Sequence, residues 1–146
     1  MAIYSCNLKS VGRSTHAEGT AGAHLRYIAR EGAEPTVTAH AMPANANDAR
    51  AWMDKQERED RKNARLIDKI RLALPIELTP DQRHEMTRAY VEELTQNLVP
   101  WYFAIHQDGK DAHNPHAHIV IRDRDIETGK RVIGLSDSPR DWQKGR

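Results

Sequence analysis

Three histidines on two short segments constrain the fold of this chain more than any other feature. Segment 113–121 reads HNPHAHIVI, and segment 101–106 reads WYFAIH. Successive side chains of a β-strand point to opposite faces, so His116 and His118 share one face and alternate with apolar residues. The same alternation places His106 on one face of the upstream segment and large apolar side chains on the other. Both segments therefore predict strands with one apolar face and one histidine-bearing face.

The connection between these segments predicts that the strands pair. Residues 107–115 contain Asp, Gly, Asn and Pro, which favour turns, so we expect a hairpin that brings His106 beside His116. A closed structural metal site would normally need a fourth protein ligand, and the only cysteine, Cys6, is distant in sequence. An open catalytic site is therefore the preferred interpretation. Loop residues that could still supply a fourth ligand are interpreted as turn residues: Asp108, Asp111 and His113.

The type of metal follows from the ligand chemistry. A lone strand histidine is usually an ordinary polar residue, whereas three on one predicted face indicate a divalent metal site. Ring nitrogens favour manganese, cobalt, nickel or zinc over magnesium, which prefers oxygen ligands. Because cellular availability also selects the working metal, we expect Mn²⁺ or Mg²⁺ in use, with Zn²⁺, Co²⁺ or Ni²⁺ as alternatives.

Composition places the chain among globular proteins of one domain. It has 146 residues, of which 29% are charged and 38% hydrophobic, and its net charge is only +1. A single cysteine excludes an internal disulfide framework, and no signal peptide or membrane span is visible, so we expect a cytoplasmic protein without membrane insertion. Residues 50–71 hold eight Lys or Arg against five Asp or Glu. That excess permits a basic face, although a solvated charged helix explains residues 50–65, taken alone, equally well.

Hydrophobic periodicity, together with residues that typically begin or end helices and strands, predicts the remaining elements. Asp48 is the expected N-cap of one helix, and Thr79 followed by Pro80 is a strong start for another. We expect helices over 17–31, 48–63 and 79–98, a loop over 11–15, strands over 3–8, 66–74, 101–106 and 116–121, and possible strands over 36–38 and 130–133. This order predicts an α+β fold with a largely antiparallel sheet of about five strands and helices on one face.

Four separated segments together carry a family resemblance. They are 1–4 (MAIY), 27–32 (YIAREG), 72–79 (LALPIELT), and the histidine segments 104–106 (AIH) and 114–118 (NPHAH). In order and combination these resemble the MobA/MobL family of plasmid mobilisation relaxases, which are HUH endonucleases. The resemblance implies an HUH relaxase or Rep-like fold. It also implies that residues 1–146 form a single relaxase domain, the N-terminal part of a longer protein.

The resemblance also implies an activity and residue roles. A tyrosine of the family nicks single-stranded DNA at an origin of transfer and forms a covalent 5′-phosphotyrosyl intermediate, with accessory mobilisation proteins as further partners. The resemblance implies that Tyr27 is the nucleophile and that Glu77 is a base or supporting acid. It implies as metal ligands His106, His116 and His118. Because a phenol has a pKa of about 10, it needs a nearby base or positive charge. Candidates for that charge are the metal, Arg26 and Arg30.

Several alternatives stay open at the level of sequence. Tyr27 could be an ordinary helix aromatic, Tyr102 shares the histidine face, and His24 precedes Tyr27 by one helical turn. Glu77 could be a plain strand-end carboxylate. Lys69 and Arg71 stand where some family members carry acids, which weakens any assignment of a carboxylate base. Alternative functions are an HUH replication initiator or transposase, or a non-enzymatic DNA-binding module with a structural metal. Val120 argues against a histidine-triad hydrolase.

Contacts to DNA can be proposed from charge and aromatic residues. DNA phosphates could be bound by basic side chains, namely Arg13, Arg26, Arg30 and the basic residues within 50–71. Trp52 or Trp101 could offer a stacking surface, although Trp101 shares the apolar strand face and is expected to be buried.

Overall fold

The chain forms one antiparallel sheet of five strands with three helices. The computed structural model describes residues 6–30 and 37–135. The elements are β1 (Cys6–Gly12), α1 (Thr20–Arg30), β2 (Val37–His40), α2 (Ala46–Glu59), β3 (Arg65–Ala73), α3 (Pro80–Thr95), β4 (Trp101–His106) and β5 (His116–Ile121). Neighbouring strands pair antiparallel in the order β1-β3-β5-β4-β2. The predicted α+β class and antiparallel sheet are confirmed.

The predicted histidine hairpin lies at the centre of this sheet. Strands β4 and β5 pair with His106 opposite His116 and Ala104 opposite His118. A single 3₁₀ turn, Gly109–Asp111, lies in the connection between the strands. Alternation therefore places the three histidines on one face, as predicted, because residues opposite each other in an antiparallel pair point the same way.

Helices cover both faces of the sheet, so the prediction of helices on one face is wrong. On one face, Val91 of α3 packs with Trp101, Phe103 and Ile119 in a buried apolar cluster. On the other, α1 and α2 pack over a second cluster whose members are Val11, Ala21, Leu25, Ile28, Ala49, Met53, Leu66, Ile67, Tyr102 and Val120. The physical reason is that the histidine-bearing face also carries the buried side chains of Tyr102 and Val120, so each side of the sheet requires a covering layer.

Helix boundaries differ from the sequence prediction at several positions. Helix α1 begins at Thr20 instead of residue 17, and α2 ends at Glu59 instead of residue 63. Helix α2 is capped by Asn45 instead of Asp48, because the Asn45 side chain accepts hydrogen bonds from the backbone N–H groups of residues 47 and 48. The Thr79 cap is confirmed and forms a capping box with Gln82. Helix α3 ends at Thr95, three residues before the predicted end at 98, where Gln96 adopts the left-handed conformation.

The ends of the sheet also differ from the prediction. The first strand continues to Gly12 through the start of the predicted loop, and residues 3–5 of the predicted strand 3–8 lie outside the described residues. The possible strand over 130–133 is wrong. Its backbone is instead held by the buried carboxylate of Asp123, which accepts the N–H groups of Val132, Ile133 and Gly134 at 2.7 to 2.9 Å. The short strand predicted near residue 37 is confirmed as β2.

Candidate active site

The three predicted histidines converge into one cluster at the end of the central hairpin. Their potential ligand atoms all lie within 4.8 Å of one another. Ring centroids are 5.3 Å apart for His106 and His116, 4.5 Å for His106 and His118, and 4.9 Å for His116 and His118. His106 and His116 are buried, and His118 is half-buried. This cluster follows directly from the strand register, since His106 is opposite His116 and His118 lies two residues farther along β5.

Backbone carbonyls fix the orientation of two of these rings. Nε2 of His106 lies 3.0 Å from the Ile28 carbonyl oxygen, and Nδ1 of His116 lies 2.8 Å from the Asn114 carbonyl oxygen. A carbonyl oxygen can only accept, so each of these nitrogens donates and the other ring nitrogen carries the lone pair. Histidines that ligate metals commonly donate their second nitrogen in this way.

Burial keeps the imidazoles of His116 and His118 in the form that binds metals. Desolvation by burial, together with the neighbouring histidines, lowers the pKa of His118 to about 3. Burial likewise lowers the pKa of His116. Neutral rings with available lone pairs are the protonation state that a divalent cation requires. The donor set therefore fits a transition metal held by three nitrogens with positions left for other ligands.

The loop residues considered as a fourth ligand do not join this cluster. Among residues 6–30 and 37–135, the group of potential metal ligands consists of the three histidines alone. Asp108 and His113 are exposed and Asp111 is half-buried in the connection between β4 and β5. Their interpretation as turn residues is confirmed, because Asp111 and Asn114 close successive backbone turns there.

Helix α1 lies against the histidine cluster and carries Tyr27. The Ile28 carbonyl of this helix accepts the hydrogen bond from His106. Tyr27, the next residue back, is 59% exposed. Its side chain is therefore accessible on the helix that contacts the cluster. The Arg30 side chain, a candidate for activating the phenol, lies outside the described residues.

The rival tyrosine is buried. Tyr102 is 0% exposed, and its hydroxyl donates to the Ala44 carbonyl at 3.3 Å. Burial raises the pKa of Tyr102 to about 12, which disfavours the phenolate needed for attack. Accessibility thus favours Tyr27 over Tyr102, although both share the histidine side of the sheet.

A cleft of about 200 Å³ adjoins His118 and brings in residues that the sequence did not connect. Its lining side chains include His24 of α1 and three cationic residues, Lys9, Lys69 and Arg71. Burial and the Lys69 charge lower the pKa of His24 to about 4, so its ring is neutral near pH 7. The alternation of Lys69 and Arg71 on one face could have been noticed in the sequence, but Lys9 joins them only through the pairing of β1 with β3.

Other predicted site residues lie elsewhere. Glu77 is exposed in the turn after β3 and does not belong to the histidine cluster. Arg13 donates to the Asp60 backbone carbonyl. Trp101 is 2% exposed, which confirms the expected burial and removes it as a stacking surface. Trp52 is half-buried against the cluster beneath α1 and α2.

Comparison with known proteins agrees with the histidine cluster and its fold. A sequence model of the MobA/MobL family matches residues 14–137. The chain belongs to the MobA/MobL family. This match includes α1 with Tyr27 and all three histidines, so the predicted family resemblance is confirmed.

Three individual proteins of similar sequence have names related to mobilization or relaxation. The chain is 33% identical over 132 residues to mobilization protein A of Escherichia coli, covering 85% of this chain and 18% of that protein. It is 30% identical over 136 residues to the 43 kDa relaxation protein of Salmonella typhimurium, covering 85% of this chain and 35% of the relative. A probable mobilization protein MobA of Bifidobacterium longum is 30% identical over 148 residues, covering 87% of this chain and 26% of that protein. The chain therefore spans only part of the length of these relatives.

A solved structure shares the fold of this MobA/MobL chain. It is described as the molecular basis of vancomycin resistance transfer in Staphylococcus aureus, and it aligns with a TM-score of 0.65 over 99% of this chain and 84% of that one. At 20% identity the similarity shows the fold, which agrees with the expected HUH-like architecture. None of the described helices is both long enough and apolar enough to cross a membrane.

Proposed function

We propose that this chain is the DNA-nicking domain of a plasmid mobilisation relaxase. The observation that carries the proposal is the hydrogen bond between His106 of the histidine cluster and Ile28 of the helix that exposes Tyr27. This bond ties a potential metal site and a potential nucleophile to the same small region. Membership of the MobA/MobL family and the names of its relatives, mobilization and relaxation proteins, support the same role.

The histidine cluster would hold the catalytic metal. His106, His116 and His118 offer three ring nitrogens, and backbone carbonyls orient the rings of His106 and His116. A divalent cation bound there supplies positive charge that polarises the non-bridging oxygens of a phosphodiester. We propose Mn²⁺ or Mg²⁺ as the cation in use, with the nitrogen ligands themselves favouring Mn²⁺ of the two.

Tyr27 would perform the transesterification. Its phenolic oxygen forms a bond to phosphorus, and the bond from phosphorus to the 3′ oxygen breaks. The products are a 5′-phosphotyrosyl link and a strand that ends in a 3′-hydroxyl, after the 3′ oxygen takes a proton and the phenol gives one up. The phosphotyrosyl bond stores the energy of the broken diester, so a later 3′-hydroxyl can rejoin the strand.

The proton acceptor for Tyr27 has two candidates in the chain. His24 precedes Tyr27 by one helical turn and lines the cleft beside His118, where its ring is neutral. Glu77 is exposed in the turn after β3, and its role as a base or as a partner of a metal ligand stays a prediction.

The substrate would be single-stranded DNA at an origin of transfer, and accessory mobilisation proteins would assemble with the longer protein.

Trapping of a covalent adduct tests this proposal. Labelled single-stranded fragments that cover the transfer origin of the host plasmid are incubated with the protein and Mn²⁺, and the adduct is mapped by peptide mass spectrometry. Tyr27→Phe removes only the hydroxyl oxygen, so it should abolish the adduct while metal affinity stays unchanged. Tyr90→Phe is the matched control, because Tyr90 is half-buried on α3 against the opposite apolar cluster.

The other outcomes separate the alternatives. A DNA-linked peptide that contains His24 would move the nucleophile by one turn of α1. Cleavage at a replication origin or transposon end, but not at a transfer origin, would identify a different HUH endonuclease. If metal and DNA bind but no adduct forms with any cation, the chain is a DNA-binding module and the proposed activity is refuted.

A further inference from the structure

Three cations lie side by side on the strands next to the histidine cluster. Lys9 of β1 is the register partner of Lys69 of β3, and Arg71 of β3 is the register partner of His118. Lys9, Lys69 and Arg71, which we call the basic triad, line the same cleft as His118. Lys69 and Arg71 are two residues apart, so their side chains share one face at a spacing of about 7 Å.

This arrangement is unfavourable for the protein alone. Like charges directly opposite each other on paired strands destabilise a sheet. No acidic residue lines the cleft, and none of the three cations forms an ion pair with another part of the chain within residues 6–30 and 37–135. Burial lowers the pKa of Lys69, and repulsion by the Lys9 ammonium lowers it further. A bound anion would relieve this repulsion.

We propose that the basic triad binds the DNA phosphate next to the one held at the histidine cluster. The inference rests on the proposed function, because it requires a phosphodiester chain whose reacting phosphate lies at His118. Arg71 adjoins that position directly through the strand register, and Lys69 and Lys9 continue the positive charge away from it across β3 and β1. A single strand leaving the histidine cluster in this direction meets successive donors of positive charge.

The triad would therefore position the substrate and set its strand direction across the sheet. The guanidinium of Arg71 can bind two phosphate oxygens at once, whereas the two ammonium groups act as point charges. Binding of this type depends on counterion release, so the logarithm of the affinity for single-stranded DNA falls by about 0.7 per phosphate contact for each tenfold rise in salt. Loss of the triad should reduce this slope.

Fluorescence anisotropy with labelled single-stranded oligothymidine of 20 nucleotides measures the slope over a salt series. The triple variant Lys9→Gln, Lys69→Gln, Arg71→Gln should bind more weakly at low salt, with a slope reduced by about 0.7 to 2, corresponding to one to three lost contacts. The matched control removes three exposed cations that lie outside both the cleft and residues 50–71, through Arg88→Gln, Lys130→Gln and Arg131→Gln. The salt dependence of the control variant should equal that of the unmodified protein within experimental error.

Stability and rescue measurements keep the test decisive. Removal of like charges from the paired strands should leave the melting temperature unchanged or raise it; if the triple variant does not fold, the single variant Lys69→Gln is measured in its place. Lys9→Arg with Lys69→Arg keeps the charge and should keep the slope. An unchanged slope in the triad variants, or an equal fall in the control, would overturn the proposal.

The test also separates this proposal from the proposed function. A reduced slope in a protein that never forms a Tyr27 adduct would leave the phosphate site in place and refute the nicking activity. Adduct formation with an unchanged slope would refute phosphate binding by the basic triad and leave the proposed nicking activity in place. Calorimetric titration with Mn²⁺ provides a further readout, since the triad variants should bind the metal as the unmodified protein does.

Discussion

Substitution of Gly22 by alanine tests how the helix that carries Tyr27 is positioned. Gly22 is buried on α1 where this helix packs against α2. A Cβ atom at this position would lie 2.5 Å from Oδ1 of Asp54 and 3.0 Å from the Arg50 carbonyl oxygen. The first distance is far shorter than van der Waals contact, and the second involves backbone. Gly22→Ala must therefore move the Asp54 side chain and separate the two helices slightly.

Two opposing contributions determine the magnitude. Alanine is about 1 kcal/mol better than glycine in a helix interior. Overpacking of a buried contact costs roughly 1 to 3 kcal/mol, and the backbone carbonyl cannot move without the helix, so the upper part of that range applies. The net loss should be about 1 to 2 kcal/mol. With an unfolding entropy of about 2.1 cal/mol/K per residue, this lowers the melting temperature of the 146-residue chain by about 3 to 6 °C.

A double-mutant cycle identifies the responsible contact. Oδ1 of Asp54 is buried without a hydrogen-bond partner among the described residues, and the Asp54 ion pair with Arg50 is a long surface contact of 3.9 Å. Asp54→Ala should consequently cost little. Combined with Gly22→Ala, it should recover part of the lost stability, with a coupling of about 0.5 to 1 kcal/mol by thermal or urea unfolding. An unchanged or higher melting temperature for Gly22→Ala alone would refute the close-packing explanation.

Two further predictions concern the metal and the buried phenol. At a free concentration one hundred times the dissociation constant, Mn²⁺ should stabilise the protein by about 2.7 kcal/mol, or roughly 9 °C in a thermal-shift assay. Alanine at His106, His116 and His118 together should remove the shift; persistence of the shift would place the metal elsewhere. The pKa of Tyr102 is raised to about 12, so its contribution to stability is complete below pH 10 and is lost between pH 10 and 12. Tyr102→Phe should flatten that alkaline loss in pH-dependent urea unfolding, and an equally steep loss in the variant would contradict the burial effect.

Local sequence signals predicted the elements whose determinants are local. The hairpin followed from period-two alternation and from the turn residues between the two strands, which together also fixed the register of His106 against His116. Helix α3 followed from Thr79 and Pro80, and the structure adds the reciprocal hydrogen bonds between Thr79 and Gln82. These features depend on residues within one or two turns of each other, so one segment contains the necessary information.

Long-range pairing explains what the sequence did not reveal. Nothing local shows that β1 lies beside β3, so the contact of Lys9 with the cleft could not be inferred from either strand. The segment 130–133 has strand-like residues, but three hydrogen bonds to the Asp123 carboxylate replace the partner strand it would need. The caps show a smaller ambiguity, since Asn45 and Asp48 are both good N-cap residues, and the structure shows that Asn45 caps the helix.

The two halves of the candidate site are coupled through one helix. Helix α1 is held at one end by its close contact with α2 at Gly22, and near the other end by the bond from His106 to the Ile28 carbonyl. Tyr27 lies between these two points, so its distance from the histidine cluster depends on both contacts. A shift of α1 away from α2 would change both the orientation of the His106 ring and the reach of Tyr27, the proposed nucleophile. Gly22→Ala should therefore reduce nicking more than its stability loss explains, even at temperatures where the protein remains folded.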